Sequence, residues 1–406
     1  MSGWTNYSCT VTSQKMIERE MGYRGSKSTA DILNYTGTTE FKNNMFVVVK
    51  EQRLDGGCIG NNFPMLRYSL TGFERNYQVK ILSNQISFTQ SRFYSTNRLT
   101  TMNMQDENSS LQLSPWLITG ISDGESCFYV GVQKNSNSKM GWTVELIYTI
   151  TLHKKDKDIL EQIKNYFGLG YITHHGINTL QYRIKSVKDL KVILEHFDKY
   201  PLITQKQGDF ILFKMAFNLV KTKEHLKMEG LNKIVGIRAS LNTGIKANLK
   251  EAFPQAIPVV RPLVVERVVP DPEWFAGFAS AEACFLVNIK KSTSHICGYQ
   301  VWLIFTLTQD VRDEQLMKTF ETYLGCGSME KTSREVVNFN VRKLSDIQTV
   351  VLPFFLKYPI LGVKFKDFQD WCKVADLMMK NKHLTLSGVE EIRRIKSGMN
   401  TLREYL

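Results

Sequence analysis

Stretches in which apolar and polar residues alternate predict the strands of this chain. The clearest are WTVELIYTITL at 142–152 and YQVWLIFTLTQ at 299–309, where nearly every second residue is apolar. This period is typical of antiparallel strands with one buried face and one exposed face. Shorter segments of the same kind precede them (CFYVGVQK and CFLVNIKK) and follow them (LQYRIK and VVNFNVRK).

The order of predicted elements occurs twice. A short helix (about 115–125, and again 272–282) leads into two strands, a helix, two short strands and further helices. The sequence itself also repeats: ITGISDGESCF at 118–128 matches FAGFASAEACF at 275–285, and the match continues downstream with one inserted residue to the KYPLITQKQGDF and KYPILGVKFKDF segments. We therefore predict an α+β fold of two αββαββα half-domains related by an approximate twofold axis.

These patterns divide the chain into four parts. Residues 114–242 and 272–406 are the predicted half-domains, and the proline-rich 243–271 is predicted to be an extended tether between them. Residues 1–113 are predicted to be an N-terminal extension of unknown role that ends in a polar linker.

Charge narrows the class of partner. The net charge is +13, which favours a polyanion such as nucleic acid. No apolar run approaches the ~20 residues of a membrane span, so we expect no membrane partner. Seven scattered cysteines without a C-x-x-C motif indicate reduced thiols inside a cell or an organelle.

The solvent-facing positions of the predicted sheets are polar and partly basic, which suits a reader of the DNA major groove. An ordinary solvated sheet face would have the same pattern. The candidate DNA-binding residues are Gln181, Arg183 and Lys185 in the first half, Asn338, Asn340 and Arg342 in the second, and Lys134 and Lys290 near the hairpin tips.

The two short helices carry small residues four positions apart, Gly120 with Gly124 and Gly277 with Ala281. This spacing allows two helix backbones to approach closely. Pairing would bring the glutamates at their C-terminal ends, Glu125 and Glu282, side by side. Two such charges about 5 Å apart repel by ~3 kcal/mol at an effective dielectric constant of about 20. We expect either a protonated glutamate or bound Mg²⁺, which prefers oxygen ligands.

The segments ITGISDGES and FAGFASAEA resemble the nine-residue signature of LAGLIDADG homing endonucleases, in the single-chain, two-repeat form encoded by fungal mitochondrial introns. Ser126 and Ala283 replace the terminal glycine of the signature, and Ser280 replaces its aspartate. The resemblance implies that both glutamates bind Mg²⁺, with carbonyl oxygens of Gly124 and Ala281 as further ligands. It also implies that two matched lysines lie near the scissile phosphates, Lys206 and Lys364.

Gln309, at the end of the long strand, corresponds to a polar residue of the water network in such enzymes, whereas its repeat partner is Leu152. The family also implies a β-saddle that binds double-stranded DNA as a monomer. We therefore expect a mitochondrial, intron-encoded, Mg²⁺-dependent endonuclease that cuts both strands of a long asymmetric site. The alternatives are an RNA maturase that binds its own intron transcript, and a DNA-binding protein without activity.

Overall fold

The computed structural model describes residues 113–242, 244–264, 268–332 and 335–403. The predicted N-terminal extension therefore lies, except for Leu113, outside the described residues. In the first half the elements are α1 Pro115–Glu125, β1 Ser126–Lys134, β2 Trp142–His153, α2 Lys157–Phe167, β3 Tyr171–His174, β4 Thr179–Ile184, α3 Val187–Lys199, α4 Lys206–Lys221 and α5 Met228–Ser240.

The second half repeats this order. After α6 (Ala247–Ala252) its elements are α7 Pro272–Glu282, β5 Ala283–Lys291, β6 Tyr299–Asp310, α8 Glu314–Leu324, β7 Ser328–Lys331, β8 Val336–Val341, α9 Leu344–Asp346, α10 Leu352–Lys357, α11 Val363–Met379 and α12 Leu386–Ser397. A π-helical segment, Ile347–Val351, joins α9 to α10. The predicted α+β class and the repeated αββαββα order are confirmed.

Each half contains one four-stranded antiparallel sheet, with strand order β1-β2-β4-β3 in the first and β5-β6-β8-β7 in the second. The registers correspond: Phe128 pairs with Tyr148 in the first sheet, and Phe285 pairs with Phe305 in the second. Alternation along each strand places these aromatic residues on the helix-covered face, where all four side chains are fully buried. The opposite face of each sheet, which we call its polar face, is turned away from the core.

Matched side-chain contacts extend the repeat beyond the strands. Asn242 donates from Nδ2 to the carbonyl oxygen of Phe128 at 3.3 Å, and Asn400 donates to that of Phe285 at 3.2 Å. Both asparagines have a positive φ. Because both ends of these contacts occupy matched positions in the two repeats, the predicted approximate twofold relation extends to individual hydrogen bonds.

The proline content predicted that the segment between the halves is extended. The structure shows that part of it is helical. Its start forms α6, which is followed by the buried Phe253 packed edge-on against Trp142 at 4.9 Å between ring centroids. Further along, Arg261 binds Asp209 at 2.7 Å and the carbonyl oxygen of Gln205 at 2.9 Å. One aromatic contact and one ion pair therefore hold this segment against the first half. Neither could be predicted from the local sequence, because both join residues distant along the chain.

The described ranges include no helix that is long and apolar enough to cross a membrane.

Candidate active site

Helices α1 and α7 pack against each other at backbone distance. A methyl group built on Gly120 would collide with the carbonyl oxygen of Trp274, and one built on Gly277 would collide with that of Leu117. Only glycine allows this approach, because any side chain would push the two backbones apart. The predicted pairing of the two small-residue helices is confirmed.

Both helices end at a glutamate, and the pairing brings these ends together. α1 ends at Glu125 and α7 at Glu282. A Cβ atom built on Gly124 would lie only 3.2 Å from Oε1 of Glu282, so the Glu282 carboxylate lies against the end of the opposite helix. The Gln309 side chain forms a hydrogen bond with Glu282 from the end of β6. Leu152, at the matched position of β2, packs against the apolar core of the first half.

The two matched lysines bind the ends of these helices. Lys206 donates from Nζ to the carbonyl oxygens of Ser122 and Gly124, both at 3.0 Å. Lys364 donates to the carbonyl oxygens of Ala281 at 2.8 Å and Ala279 at 3.5 Å. The last carbonyl groups of a helix lack intrahelical partners and carry its negative dipole end, so a lysine there satisfies them and offsets the nearby carboxylate.

The charges of this site interact strongly. Burial raises the pKa of the Glu282 carboxyl group, while Lys364, Lys206 and the hydrogen bond from Gln309 act in the opposite direction. Burial lowers the pKa of the Lys364 ammonium group, against the effect of Glu282 and Glu125. The two lysines and Gln309 thus lessen the effect of burial on the Glu282 carboxyl group, but its pKa stays raised.

The signature aspartate is used in the first half only. Asp123 is buried and accepts hydrogen bonds from the backbone N–H groups of Ile203 and Thr204, both at 3.1 Å, and from the indole of Trp274 at 2.8 Å. At the matched position Ser280 accepts one bond, from the N–H of Leu361 at 2.9 Å. The serine thus keeps the link to the segment before the lysine, with fewer bonds.

The donor set is compatible with a hard divalent cation. Two carboxylates and the adjacent carbonyl oxygens of Gly124 and Ala281 are oxygen ligands of the kind that Mg²⁺ and Ca²⁺ prefer. Within the described ranges, no group of three or more His, Cys, Asp or Glu side chains could hold a metal. A cation at the two glutamates would thus need backbone, water or phosphate oxygens to complete its coordination.

On the polar face of the first sheet, neighbouring side chains bind two of the predicted residues, Gln181 and Lys185. Gln181, only 7% exposed, donates to the Thr151 hydroxyl at 2.9 Å. Arg183 stands between Thr149 and Tyr171 on the neighbouring strands. Lys185, just beyond β4, binds Glu145 at 2.8 Å.

On the second sheet, Glu330 organises the polar face. It forms a two-point ion pair with Arg342, whose Nη2 donates to Oε2 at 2.7 Å, and it accepts from Asn340 Nδ2 at 3.1 Å. Asn338 accepts from the Thr308 hydroxyl at 2.8 Å. This face was predicted to be polar and partly basic. Its arginine, Arg342, forms an ion pair with the acidic Glu330.

The two hairpin lysines lie on different faces. Lys290 is exposed and pairs with Gln300 on the polar face of the second sheet. Lys134 follows the parity of the core residues, and its Nζ lies 5.8 Å from the centre of the Trp142 ring. The residue of the first sheet that matches Lys290 at offset 157 is Gln133.

Sequence reasoning missed three parts of the site. These are the lysine bonds to the helix ends, the indole bond to Asp123, and two aspartates that bind across the halves, Asp156 and Asp313. A signal existed for the aspartates, because they match at the offset of 157 that relates the glutamates. Their hydrogen-bond partners could not be read from any local pattern.

Comparison with known proteins agrees with this geometry. The model of the LAGLIDADG endonuclease family matches residues 118–217 and 275–375, one match in each half. A curated relative, probable intron-encoded endonuclease 3 of Neurospora crassa, is 40% identical over 399 residues, which is 97% of this chain and 72% of the relative.

Solved structures match the two halves together. The I-SmaMI LAGLIDADG homing endonuclease bound to cleaved DNA is 47% identical, with a TM-score of 0.71, over 72% of this chain and 98% of that one. I-SmaMI bound to uncleaved DNA target in the presence of calcium ions is 47% identical, with a TM-score of 0.70, over 71% of this chain and 99% of that one. With identities and coverage of this size, the chain belongs to the LAGLIDADG endonuclease family.

Proposed function

We propose that this protein is a site-specific DNA endonuclease that hydrolyses both strands of one long, asymmetric duplex target and so promotes mobility of its intron or reading frame. The observation that carries the proposal is the meeting of Glu125 and Glu282 at the ends of two paired helices, each end bound by one lysine. The structures of I-SmaMI with cleaved and uncleaved DNA support it.

The metal is proposed to be Mg²⁺. Glu125 and Glu282 would hold it, with oxygen atoms of Gly124, Ala281 and the DNA phosphates as further ligands. When bound, a divalent cation stabilises negative charge on the attacked phosphate and lowers the pKa of a coordinated water. I-SmaMI bound to an uncleaved DNA target in the presence of calcium ions is consistent with a divalent-cation site.

The chain's own residues orient the phosphates. Each lysine has three N–H donors, two of which point to helix carbonyl oxygens. We assign the third N–H of Lys206 and of Lys364 to the negative charge that grows on the phosphate oxygens. Gln309 holds the Glu282 carboxylate and orders water beside it, which Leu152 cannot do in the other half. The two strand cuts are therefore expected to proceed at unequal rates.

The DNA would lie on the two polar faces. Gln181, Arg183 and Lys185 read one half of the target, and Asn338, Asn340, Arg342 and Lys290 the other. Lys134, at the end of β1, would contact the DNA at the edge of the sheet. Gln133 lies on the polar face of β1 and would contact the DNA from there. Phosphate contacts by the basic residues make binding depend on salt.

The half-domains are assigned to 114–242 and 272–406, joined by 243–271, and the protein acts as a monomer because one chain carries both catalytic centres. We place it in the mitochondrion, consistent with the intron-encoded relative from a fungus.

The test is cleavage of organellar DNA that lacks this reading frame. Purified protein is incubated with that DNA in Mg²⁺, then in Ca²⁺, and new ends are mapped by sequencing. A single Mg²⁺-dependent double-strand break is expected. Absence of any break, together with tight binding to its own intron transcript, would contradict the proposal and favour the RNA maturase.

A further inference from the structure

Two aspartates bind from one half to the other. Asp156, at the N-terminal end of α2, accepts with Oδ1 from the backbone N–H of Val363 in the second half at 2.7 Å. Asp313, at the N-terminal end of α8, accepts with Oδ1 from the N–H of Gln205 in the first half at 2.8 Å. The aspartates match at offset 157 and their partners at offset 158, so the two bonds form one contact that the repeat places twice.

Each bond lies one residue before an active-site lysine. Gln205 precedes Lys206 at the start of α4, and Val363 precedes Lys364 in the first turn of α11. The N-cap residues of these two helices, Gln205 and Gly362, form no side-chain capping bond themselves. The carboxylates that accept from the N–H groups of Gln205 and Val363 come from the opposite half. At α4 the hydroxyl of Thr204, in the same half, accepts from the N–H of Lys206 at 3.2 Å.

The surroundings are shaped for this contact. A methyl group on Gly362 would collide with Oδ1 of Asp156, and Gly362 has a φ of +69° that disfavours other residues. Asp313 is only 6% exposed. Neither aspartate uses its side chain to cap its own helix, α2 or α8. Both carboxylates are thus directed away from the local helix and toward the lysine-bearing helix of the other half.

We propose that Asp156 and Asp313 are positioning residues that act in crossed fashion: Asp156 of the first half sets Lys364 of the second, and Asp313 of the second half sets Lys206 of the first. Each lysine in turn binds the end of the motif helix of its own half. Each centre thus depends on a carboxylate from the other half. This inference rests on the proposed nuclease function.

The test measures the nicking rate of each strand separately, on a target duplex labelled on either strand, in Mg²⁺. The variants are Asp156→Ser, Asp313→Ser, Lys364→Met and Lys206→Met. Serine is a residue that N-cap positions favour, so the local helix should not be weakened, but its hydroxyl is too short to reach the other half. Asp158→Ala is the matched control, since Asp158 is an exposed carboxylate in the first turn of α2.

We expect Asp156→Ser to slow nicking of one strand by about fivefold, and Lys364→Met to slow nicking of that same strand. Asp313→Ser and Lys206→Met should in the same way both slow nicking of the other strand. Asp156→Asn retains an acceptor oxygen but loses the charge, so it should slow the strand that Lys364→Met slows, but less than Asp156→Ser does. Asp158→Ala should cut both strands at the wild-type rate. A general loss of stability would slow both strands together, so strand selectivity separates positioning from folding.

Several outcomes would overturn the inference. In one, a serine variant slows the strand that depends on the lysine of the same half, or slows both strands equally. In another, the two lysine variants slow the same strand. In a third, either serine variant no longer binds DNA in EDTA. Failure of the wild type to cleave would instead contradict the proposed function, so the two failures are distinguishable.

Discussion

Lys206 and Lys364 explain how two glutamates are tolerated at the negative ends of two paired helices. From sequence alone, the pair requires a proton or a metal to offset a repulsion of ~3 kcal/mol. In the folded chain a lysine ammonium group binds each helix end. Nζ lies 2.8–3.0 Å from the carbonyl oxygen of the residue just before the glutamate. The lysines thus stabilise the site before metal or DNA arrives.

His196 makes the folded state sensitive to acid. It is 7% exposed and contacts the hydroxyl of Thr119 at 3.2 Å, and burial lowers the pKa of its imidazole from 6.5 to about 4. Between pH 6.5 and about pH 4 the imidazole of His196 is protonated in the unfolded chain but not in the native state. The contribution of His196 to stability is therefore fully present above pH 6.5 and is lost as the pH falls toward 4.

His196→Gln removes this titration and keeps a neutral hydrogen-bonding side chain. We expect the difference in free energy of unfolding between wild type and variant to fall by about 3 kcal/mol from about pH 7.5 to about pH 4. Urea denaturation at both pH values measures it. A difference that stays constant with pH would show that the buried imidazole is not the cause.

At the scale of elements, the contact between α1 and α7 is predicted to tolerate no added methyl group. Gly120→Ala and Gly277→Ala each place a Cβ atom against a backbone carbonyl oxygen of the opposite helix. Because backbone cannot move aside as a side chain can, we expect each to lower the free energy of unfolding by about 2–3 kcal/mol, measured by urea denaturation.

Gly398→Ala is the matched control. A methyl group there would lie 3.6 Å from its nearest neighbour, the carbonyl oxygen of Ile395, at an ordinary contact distance. Its effect should be about 0.5 kcal/mol or less. If Gly277→Ala were as stable as this control, the helices would not be in backbone contact.

The elements themselves were predictable where a local period decides them. The alternation in β2 and β6 and the small-residue spacing of α1 and α7 are local signals, and those elements agree with the prediction. Helix α6, the π-helical Ile347–Val351 and the crossed bonds of Asp156 and Asp313 were not predictable. They depend on contacts between residues distant in sequence, which neither propensity nor periodicity records.

At the scale of the whole molecule, Glu330 is expected to restrain DNA binding. It neutralises Arg342 on the polar face, and both side chains are about half exposed, 47% and 44%. Glu330→Gln should therefore change stability by less than about 1 kcal/mol. It should strengthen binding to non-specific duplex DNA and steepen the dependence of log K on log salt concentration by up to about one.

Fluorescence anisotropy over a salt series measures this effect. Glu161→Gln is the control, because Glu161 pairs with Lys157 and Lys164 on α2, behind the sheet. An identical salt slope for Glu330→Gln and wild type would mean that Arg342 does not reach the DNA. The sequence predicted the polar residues of the two sheet faces. It could not show that Glu145 forms an ion pair with Lys185 and Glu330 with Arg342.

Cleavage by Glu125→Gln and Glu282→Gln shows whether the two glutamates form the catalytic centre. Both substitutions keep the size of the side chain and remove the negative charge at the joined helix ends. Each variant is expected to bind the target duplex with wild-type affinity and to make no double-strand break in Mg²⁺. Double-strand cleavage at the wild-type rate by both variants would contradict this role of the glutamates.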